Sequence, residues 1–524
     1  MSIASASVVP PPDDADPIAS LARRILAVRY LFPIQRFVIS NVLEGRHQIV
    51  VLPTGSGKSL CFQVPAFALP GPTLVLVPLL SLLQDQRRRM REALARLPAT
   101  GDAAWSADAV SVLRGGLGPR EKAELFDGMR AGRIRIVLAT PEACLVPATV
   151  RELEDCRVSH LVVDEAHCIG EWGDTFRPAY LELGRLAREI RVPLITAFTA
   201  TASEAVIARI REVLFPDVEA RVLVGDPDRP NIDYAAVPVL SKTHEICRLA
   251  STLPRPILVF CRSRGGAELL ARLLRVRRPG EEAFFYHAGL SHPERSKVEE
   301  WFFRSDRGIL LSTSAYGMGV DKPNIRSVVH RDVPPSVESY LQETGRAGRD
   351  GKPSRAVLLF SREDESFART LSDPAQAARY AAMLGYALAA EGCRRERLAV
   401  LIGRDAASTA ATSDAASGGR PVCSGCDVCR GEAALVASGE AEIRSFVRRC
   451  RRRFVPAQVR DILAGRRSWD VRRSFLDAVP GYGSLSGWDP DDVEEAIGAL
   501  RAGGWIATAK RGPWKGRLTV GRAG

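Results

Sequence analysis

Short, nearly continuous apolar runs recur from Ile49 to Val329, and they constrain the fold of this chain more than any other feature. Ile49-Val50-Val51-Leu52, Thr73-Leu74-Val75-Leu76-Val77, Ile134-Arg135-Ile136-Val137-Leu138, Leu161-Val162-Val163 and Leu194-Ile195-Thr196-Ala197-Phe198 are separated by amphipathic helical stretches. A strand with one wet face alternates apolar and polar residues. Unbroken runs suit strands covered on both faces, as in a parallel sheet flanked by helices. After the turn-rich Gly225-Asp226-Pro227-Asp228-Arg229-Pro230 the arrangement repeats in Ile257-Leu258-Val259-Phe260, Ala283-Phe284-Phe285-Tyr286, Ile309-Leu310-Leu311 and Ser327-Val328-Val329. The economical reading is two successive α/β lobes, over residues 18–225 and 226–372.

With 524 residues the chain exceeds a single core, and its 46% hydrophobic content is ample for several. A formal charge of +12 favours a polyanionic partner, nucleic acid before membrane, although a basic surface kept for solubility gives the same sum. No run of about 18 apolar residues is present, so no transmembrane helix is expected. Residues 1–17 are small and proline-rich, without the basic start and apolar stretch of a signal peptide, and read as a disordered tail. Of the eleven cysteines, Cys144 and Cys261 fall in apparent core strands and Cys168 beside an acidic motif, which suits reduced thiols in a cytoplasmic compartment. After Asp373 the composition turns to alanine-rich helix, then to an Ala, Ser, Thr and Gly stretch at 406–419 with little to bury, expected to be a flexible insert.

Pro53-Thr54-Gly55-Ser56-Gly57-Lys58-Ser59 follows the first apolar run and precedes a helical pattern, the context a phosphate-binding loop requires. Main-chain N–H groups at Thr54, Gly55, Ser56 and Gly57, with the start of the next helix, can surround phosphate oxygens. Lys58 would neutralise β- and γ-phosphates, and Ser59 would hold magnesium. Asp164-Glu165 stands directly after another apolar run, where open parallel sheets bind ligands. One carboxylate can hold the metal while the other positions or deprotonates water. Far downstream, Gln342-Glu343-Thr344-Gly345-Arg346-Ala347-Gly348-Arg349 offers two arginines from the second lobe to the developing phosphate charge.

Together these residues resemble the RecQ branch of superfamily 2 DNA helicases. The most diagnostic stretch is Asp164-Glu165-Ala166-His167-Cys168-Ile169-Gly170-Glu171-Trp172-Gly173-Asp174-Thr175-Phe176-Arg177-Pro178, similar to that family's acidic box and aromatic-rich loop. Pro78 to Gln86, Thr199-Ala200-Thr201-Ala202, Tyr286-His287-Ala288-Gly289-Leu290 and Gly317 to Pro323 add to the match, which covers roughly Gln35 to Arg430. The resemblance implies two tandem RecA-like lobes, followed by a helical zinc-binding module over 373–432 and a small winged-helix-like domain over 433–524. It implies that Lys58, Ser59, Asp164, Glu165, Gln342, Arg346 and Arg349 bind and hydrolyse ATP, and that Trp172, Phe176 and Arg177 sense single-stranded DNA. Three positions depart from the pattern. Leu52 replaces the first glycine of the general phosphate loop, the form seen in helicases; Asp174-Thr175 stands where a His-Asp pair is usual; and Leu31-Phe32-Pro33-Ile34-Gln35 keeps the adenine-reading glutamine without its arginine. Adenine recognition then rests on Gln35, with Tyr30 available to stack.

Cys423-x-x-Cys426-x-x-Cys429, set among Gly and Pro, lets three thiolates converge on one ion, and four soft ligands in a closed shell point to structural zinc. The resemblance implies Cys393 as the fourth ligand, with Cys450 the competitor. From Arg444 to Arg473 eleven arginines face only Asp461 and Asp470. Helices over Ala441–Arg453 and Asp491–Ala502, then a hairpin of Trp505–Lys510 and Arg517–Val520, would form the winged-helix-like domain. Trp514, between Gly-Pro and Lys-Gly at the hairpin tip, either stacks on DNA or folds back onto its own domain. The chain ends at Gly524, so no further nucleic-acid-binding domain is expected. The expected activity is ATP- and magnesium-dependent 3′ to 5′ DNA unwinding on single-stranded and forked or tailed duplex DNA. A duplex translocase or annealing remodeller is the alternative, and a binding module with a vestigial ATPase is the rival of another class.

Overall fold

The computed structural model describes residues 16–26, 28, 30–53, 56–78, 80–95, 106–171, 178–200, 203–225, 228–317, 322–403, 423 and 425–523. Two compact units divide the chain, Met1–Pro227 and Asp228–Gly524. The first holds seven strands: β1 (Gln48–Val51), β2 (Thr73–Leu76), β3 (Val110–Leu113), β4 (Ile136–Ala139), β5 (His160–Val163), β6 (Ile195–Thr199) and β7 (Arg221–Val224). Their order is β3-β4-β2-β5-β6-β1-β7, every pairing parallel. Successive residues enter different apolar layers: Ile49, Val51, Leu74 and Leu76 pack on one face, Val50, Leu52, Val75 and Val77 on the other. This is the two-faced burial that unbroken apolar runs call for.

The strands missing from the sequence reading of this unit are both at sheet edges. β3 carries a half-buried Ser111 and β7 is exposed at both ends, so neither needs an unbroken run. A polar residue also opens β1. Gln48 is buried, and its amide donates to Val38 O at 3.1 Å while its carbonyl oxygen accepts from Asn41 at 3.1 Å. The expected tail is corrected at its end: Asp16 is buried, paired with Arg36 at 2.5 Å, and Pro17 opens the helix Pro17–Leu26. The rest of that tail and the insert at 406–419 lie outside the described residues.

The second unit contains β8 (Ile232–Pro238), β9 (Ile257–Phe260), β10 (Ala283–Tyr286), β11 (Ile309–Ser312), β12 (Ser327–His330) and β13 (Ser354–Phe360), ordered β10-β11-β9-β12-β13-β8 and all parallel. β8 and β13, absent from the expected strands, are the longest and pair from Ile232↔Ser354 to Pro238↔Phe360. Helices Pro374–Leu388 and Arg394–Leu401 follow the sheet. Helices Glu440–Arg449, Pro456–Leu463, Trp469–Arg473 and Pro490–Ala502 then lead into an antiparallel hairpin of β14 (Ile506–Thr508) and β15 (Leu518–Val520). The first of these helices stops short of Arg453. Arg452 turns into the left-handed region at φ 59°, and its N–H donates to Leu518 O at 2.8 Å in the hairpin. Asp489 caps Pro490–Ala502 by accepting from the Asp491 N–H.

A buried charge cluster ties the second sheet to its flanking helices. Lys242 Nζ lies 2.8 Å from both Asp332 and Asp364, each of these side chains nearly inaccessible. Arg262 reaches Asp364 at 2.8 Å, and the Arg262 N–H donates to Asp332 at 3.0 Å. Burial alone would raise the Asp332 pKa, but the Lys242 and Arg331 charges hold it well below the usual carboxylate range. Removing one partner of such a cluster strands charge in a medium that cannot solvate it. Lys242→Met should therefore cost about 3–5 kcal/mol, read as a lowered denaturation midpoint of this unit. Because the folded pKa is depressed, this stabilisation is fully present above about pH 4 and is lost as pH falls through the folded value, so the deficit should shrink in acid.

Candidate active site

β6 lies between β1 and β5, so the loops leaving β1 and β5 emerge on either side of it at the C-terminal edge of the first sheet. After β1 the chain turns through Gly57, at φ 74°, into the helix Lys58–Ala66. Any side chain at Gly57 would be strained by that φ, and its Cβ would stand 2.5 Å from Gln35 Nε2. Lys58 and Ser59 occupy the first helical turn, where unpaired N–H groups and the positive end of the helix dipole attract anions. Lys58 Nζ donates to Leu52 O at 3.3 Å, and Ser56 Oγ donates to Pro53 O at 2.7 Å. Thr54 and Gly55 are outside the described residues. Gln35 is buried, its Oε1 accepting from Phe32 N at 2.9 Å and its Nε2 donating to Ser56 O at 2.7 Å. The expected base-reading glutamine is thus fastened to the phosphate loop, beside an exposed Tyr30 set edge-on to Phe32.

After β5, Asp164 is buried and Glu165 adopts φ 51°, a left-handed conformation uncommon for a residue with a side chain. Asp164 Oδ1 accepts from the Glu165 N–H at 3.0 Å, and Oδ2 accepts from Gln86 Nε2 at 3.0 Å. Burial pushes the Asp164 carboxyl up to about 6, helped by the neighbouring Glu165 charge and opposed by Lys58 and the Gln86 bond. A carboxylate so disfavoured is one that a cation relieves. Glu165 Oε2 stands 3.4 Å from His167 Nδ1, which is 3.3 Å from Thr199 Oγ1 at the end of β6. Gln86, His167 and Thr199 were visible only as parts of motifs; nothing in their spacing says which atoms they meet. Trp172, Phe176 and Arg177 lie outside the described residues.

In the second unit Gln342 lies on the helix Val337–Thr344, and Arg346 and Arg349 on the turns after it. Arg346 is buried and Arg349 half-buried. Arg229 donates to Gly345 O at 3.3 Å and to Gly348 O at 2.9 Å, and Asn231 Nδ2 donates to Gly348 O at 2.8 Å. The segment that carries both arginines is therefore staked from behind by residues preceding β8. His330 Nε2, buried on β12, meets Glu343 Oε2 at 2.8 Å and fixes the helix from the sheet side.

The Sγ atoms of Cys393, Cys423, Cys426 and Cys429 all lie within 4.8 Å of one another. Thiolates about 2.3 Å from a tetrahedral zinc ion stand roughly 3.8 Å apart, so this donor set fits that metal. Cys393 caps the helix Arg394–Leu401, while Cys450 ends a different helix and takes no part in the group. Arg394, 2% exposed, forks onto Asp427 with contacts of 2.8 and 3.0 Å, and Asp427 accepts from Ala236 N of β8 at 3.0 Å. That clamp joins the first thiol's helix, the thiol triplet and the sheet. Trp514 sits on the turn between β14 and β15, 45% exposed, with the Arg452 guanidinium 5.1 Å from its ring.

Comparison with known proteins agrees with this geometry. Residues 32–210 match the DEAD/DEAH box helicase family, and residues 241–351 match the helicase conserved C-terminal domain. The ATP-dependent DNA helicase RecQ of Bacillus subtilis is 30% identical across 92% of this chain and 81% of its own length. The probable ATP-dependent DNA helicase RecS of the same organism is 36% identical over 62% of this chain and 63% of itself. RecQ of Pasteurella multocida is likewise 36% identical, over 63% of this chain and 50% of itself. Against these last two the chain spans only about half to two-thirds of the relative's length. Among solved structures, Mycobacterium smegmatis helicase Lhr bound to ssDNA and AMP-PNP superposes with a TM-score of 0.53 at 20% identity, over 96% of this chain and 60% of that one, a likeness of fold.

Asp164 generates a prediction. Its folded pKa, about 6, exceeds the unfolded value near 3.9, so the folded state binds the proton more tightly. The penalty for ionising it is absent below about pH 4, grows with pH, and is complete above about pH 6. Asp164→Asn should thus stabilise the protein free of nucleotide and magnesium by about 1–3 kcal/mol at pH 7.5, with the gain vanishing towards pH 4. Thermal melts of both proteins across that range provide the check.

Proposed function

We infer the function of this chain from its kinship: it belongs to the RecQ family, and we propose that it is an ATP-hydrolysing DNA helicase that moves 3′ to 5′ along one strand and unwinds the duplex. DNA repair or recombination is the process such an activity serves. The observation that carries the reading is the pairing of a phosphate loop with a buried carboxylate at the C-terminal edge of one parallel sheet, one strand apart. Reduced thiols and the lack of any helix long and apolar enough to cross a membrane, among the described residues, accord with a cytoplasmic protein.

Each residue then has a task. Lys58 neutralises the β- and γ-phosphates as the helix start donates N–H groups to them. Ser59 and Asp164 would hold magnesium, which when bound would supply positive charge to the phosphoryl transfer. Glu165, its backbone turned to present the side chain, orients and deprotonates the attacking water. Gln35 and Tyr30 read the adenine. Gln342, Arg346 and Arg349 act in the hydrolysis, and arginines in such a role contribute roughly 10³–10⁵ in rate. Coupling to the strand falls to Trp172, Phe176 and Arg177, since aromatic faces accept any base. Trp514 on its hairpin stacks on the terminal base pair and holds the fork open. Cys393, Cys423, Cys426 and Cys429 hold one zinc ion whose binding energy is folding energy.

Strand displacement on 3′-tailed, 5′-tailed and blunt duplexes tests the proposal. Only the 3′-tailed substrate should be unwound efficiently; DNA-stimulated hydrolysis without displacement of any of them would favour a duplex translocase, and no hydrolysis at all would favour a binding module. Lys58→Ala should abolish hydrolysis while DNA binding holds, and normal DNA-stimulated turnover in that variant would sink the assignment. Metal analysis should find one zinc per chain, and Cys426→Ser should lower both zinc content and the yield of folded protein. Soluble, active protein devoid of zinc would remove that claim.

A further inference from the structure

The C-terminal domain holds two exposed aromatic side chains that neither its own packing nor the hairpin explains. Trp469 opens the short helix Trp469–Arg473 and is 68% exposed; Phe475 follows that helix and is 76% exposed. At 100° per residue, Trp469, Arg472 and Arg473 share one side of the helix, while Val471, buried in the domain core, points the other way. The Arg473 guanidinium lies 4.8 Å from the Trp469 ring centroid.

Phe475 is the more telling of the two. Its φ is +53°, in the left-handed region where glycine or asparagine sits easily and a bulky side chain does not. Burial commonly offsets such strain, but this ring is in water. Leu476, immediately after it, supplies the domain's apolar anchor instead. A strained residue that presents an aromatic ring outward points to a ligand for that ring.

Charge says which ligand. Arg466, Arg467, Arg472 and Arg473, close to the two aromatics in sequence, are all exposed, with Asp470 and Asp477 the carboxylates of the same stretch. Of these four, only Arg466 forms an ion pair among the described residues, with Asp461 at 3.6 Å. The domain's longest helix, Pro490–Ala502, is not free for phosphates. Its first turns are acidic and engaged: Asp492 meets Arg277 at 2.7 Å, Glu495 accepts from Ser241 at 2.6 Å, and Trp488 just ahead of it stacks on His244 at 3.8 Å.

We propose that Trp469 and Phe475, with Arg472 and Arg473, form a binding site for single-stranded nucleic acid, the rings stacking on unpaired bases and the arginines holding phosphates. The site is separate in sequence from the hairpin tryptophan and from the aromatic loop after the acidic box. It rests on the reading of this chain as a strand-handling enzyme, and supplies that enzyme with a hold on the unwound strand.

The test measures binding of the full chain, without nucleotide, to oligothymidylate and to a strand of equal length lacking bases. Stacking on one base strengthens binding by roughly five-fold or more. In Trp469→Ala/Phe475→Gly the preference for the base-bearing strand should fall by at least that factor while the salt dependence stays as in the parent. Arg472→Gln/Arg473→Gln should do the opposite, keeping the preference and lowering the slope of log K against log salt by about 1.4. Folding is checked by the melting temperature, which Phe475→Gly should leave equal or raise by relieving the left-handed strain. An unchanged preference in the aromatic variant, or an equal loss on both strands, overturns the site. So does a polyglutamate peptide that binds the parent protein and not the aromatic variant, which would make the patch a surface for acidic peptides. Failure of the underlying reading looks different: the parent itself would bind neither strand.

Discussion

A parallel strand buried on both faces can offer chemistry only at its ends, and most of what this protein presents to a ligand follows from that constraint. The side chains of β1 and β5 are consumed by the two apolar layers of the first sheet. Their C-terminal ends are where main-chain groups leave the ladder and polar residues become affordable. The phosphate loop and the Asp164-Glu165 pair stand at two outlets of this kind, on either side of β6. In the second sheet, β12 ends at His330, and its contact with Glu343 carries the same logic to the helix that precedes the paired arginines.

Buried charge is used in two opposite ways. Around Lys242 every carboxylate has a cation in reach, and the result is a lock between sheet and helices that serves cohesion. Asp164 is buried and has a like charge in Glu165 beside it, and the Lys58 charge, Gln86 and the Glu165 N–H offset this only in part, so its ionised form is disfavoured and a further cation would relieve it. A satisfied cluster stabilises the fold; a frustrated one is ready to bind. The strained backbone at Glu165 belongs with the second kind, because left-handed geometry at a residue with a side chain persists only where surrounding structure enforces it.

The thiol cluster shows how a local motif depends on distant support. Three of its cysteines are close in sequence, but the fourth is brought in by a helix whose orientation is set by Arg394 gripping Asp427. Asp427 lies inside the triplet and also accepts from β8, so the module is referenced to the sheet rather than hanging from it. The intervening chain can be long without harm, since loop closure becomes only slowly more costly with length.

Much of this was legible in the residues alone. Unbroken apolar runs demand two-faced burial, so the parallel sheets and their central strands were readable, as were the phosphate loop, the acidic pair and the thiol triplet, because each is a contiguous string whose chemistry is local. What the string could not contain was decided by packing. Edge strands β3 and β7 escape the pattern because one side of each lacks a neighbour to select for it. The choice of Cys393 over Cys450, the attachment of Gln35 to the phosphate loop, and the bracing of Gly345 to Gly348 by Arg229 and Asn231 join residues from about twenty to more than a hundred positions apart. Sequence determines which groups are able to do chemistry; only the tertiary fold decides which atoms they meet, because a contact between remote residues exists only once the elements between them have found their places.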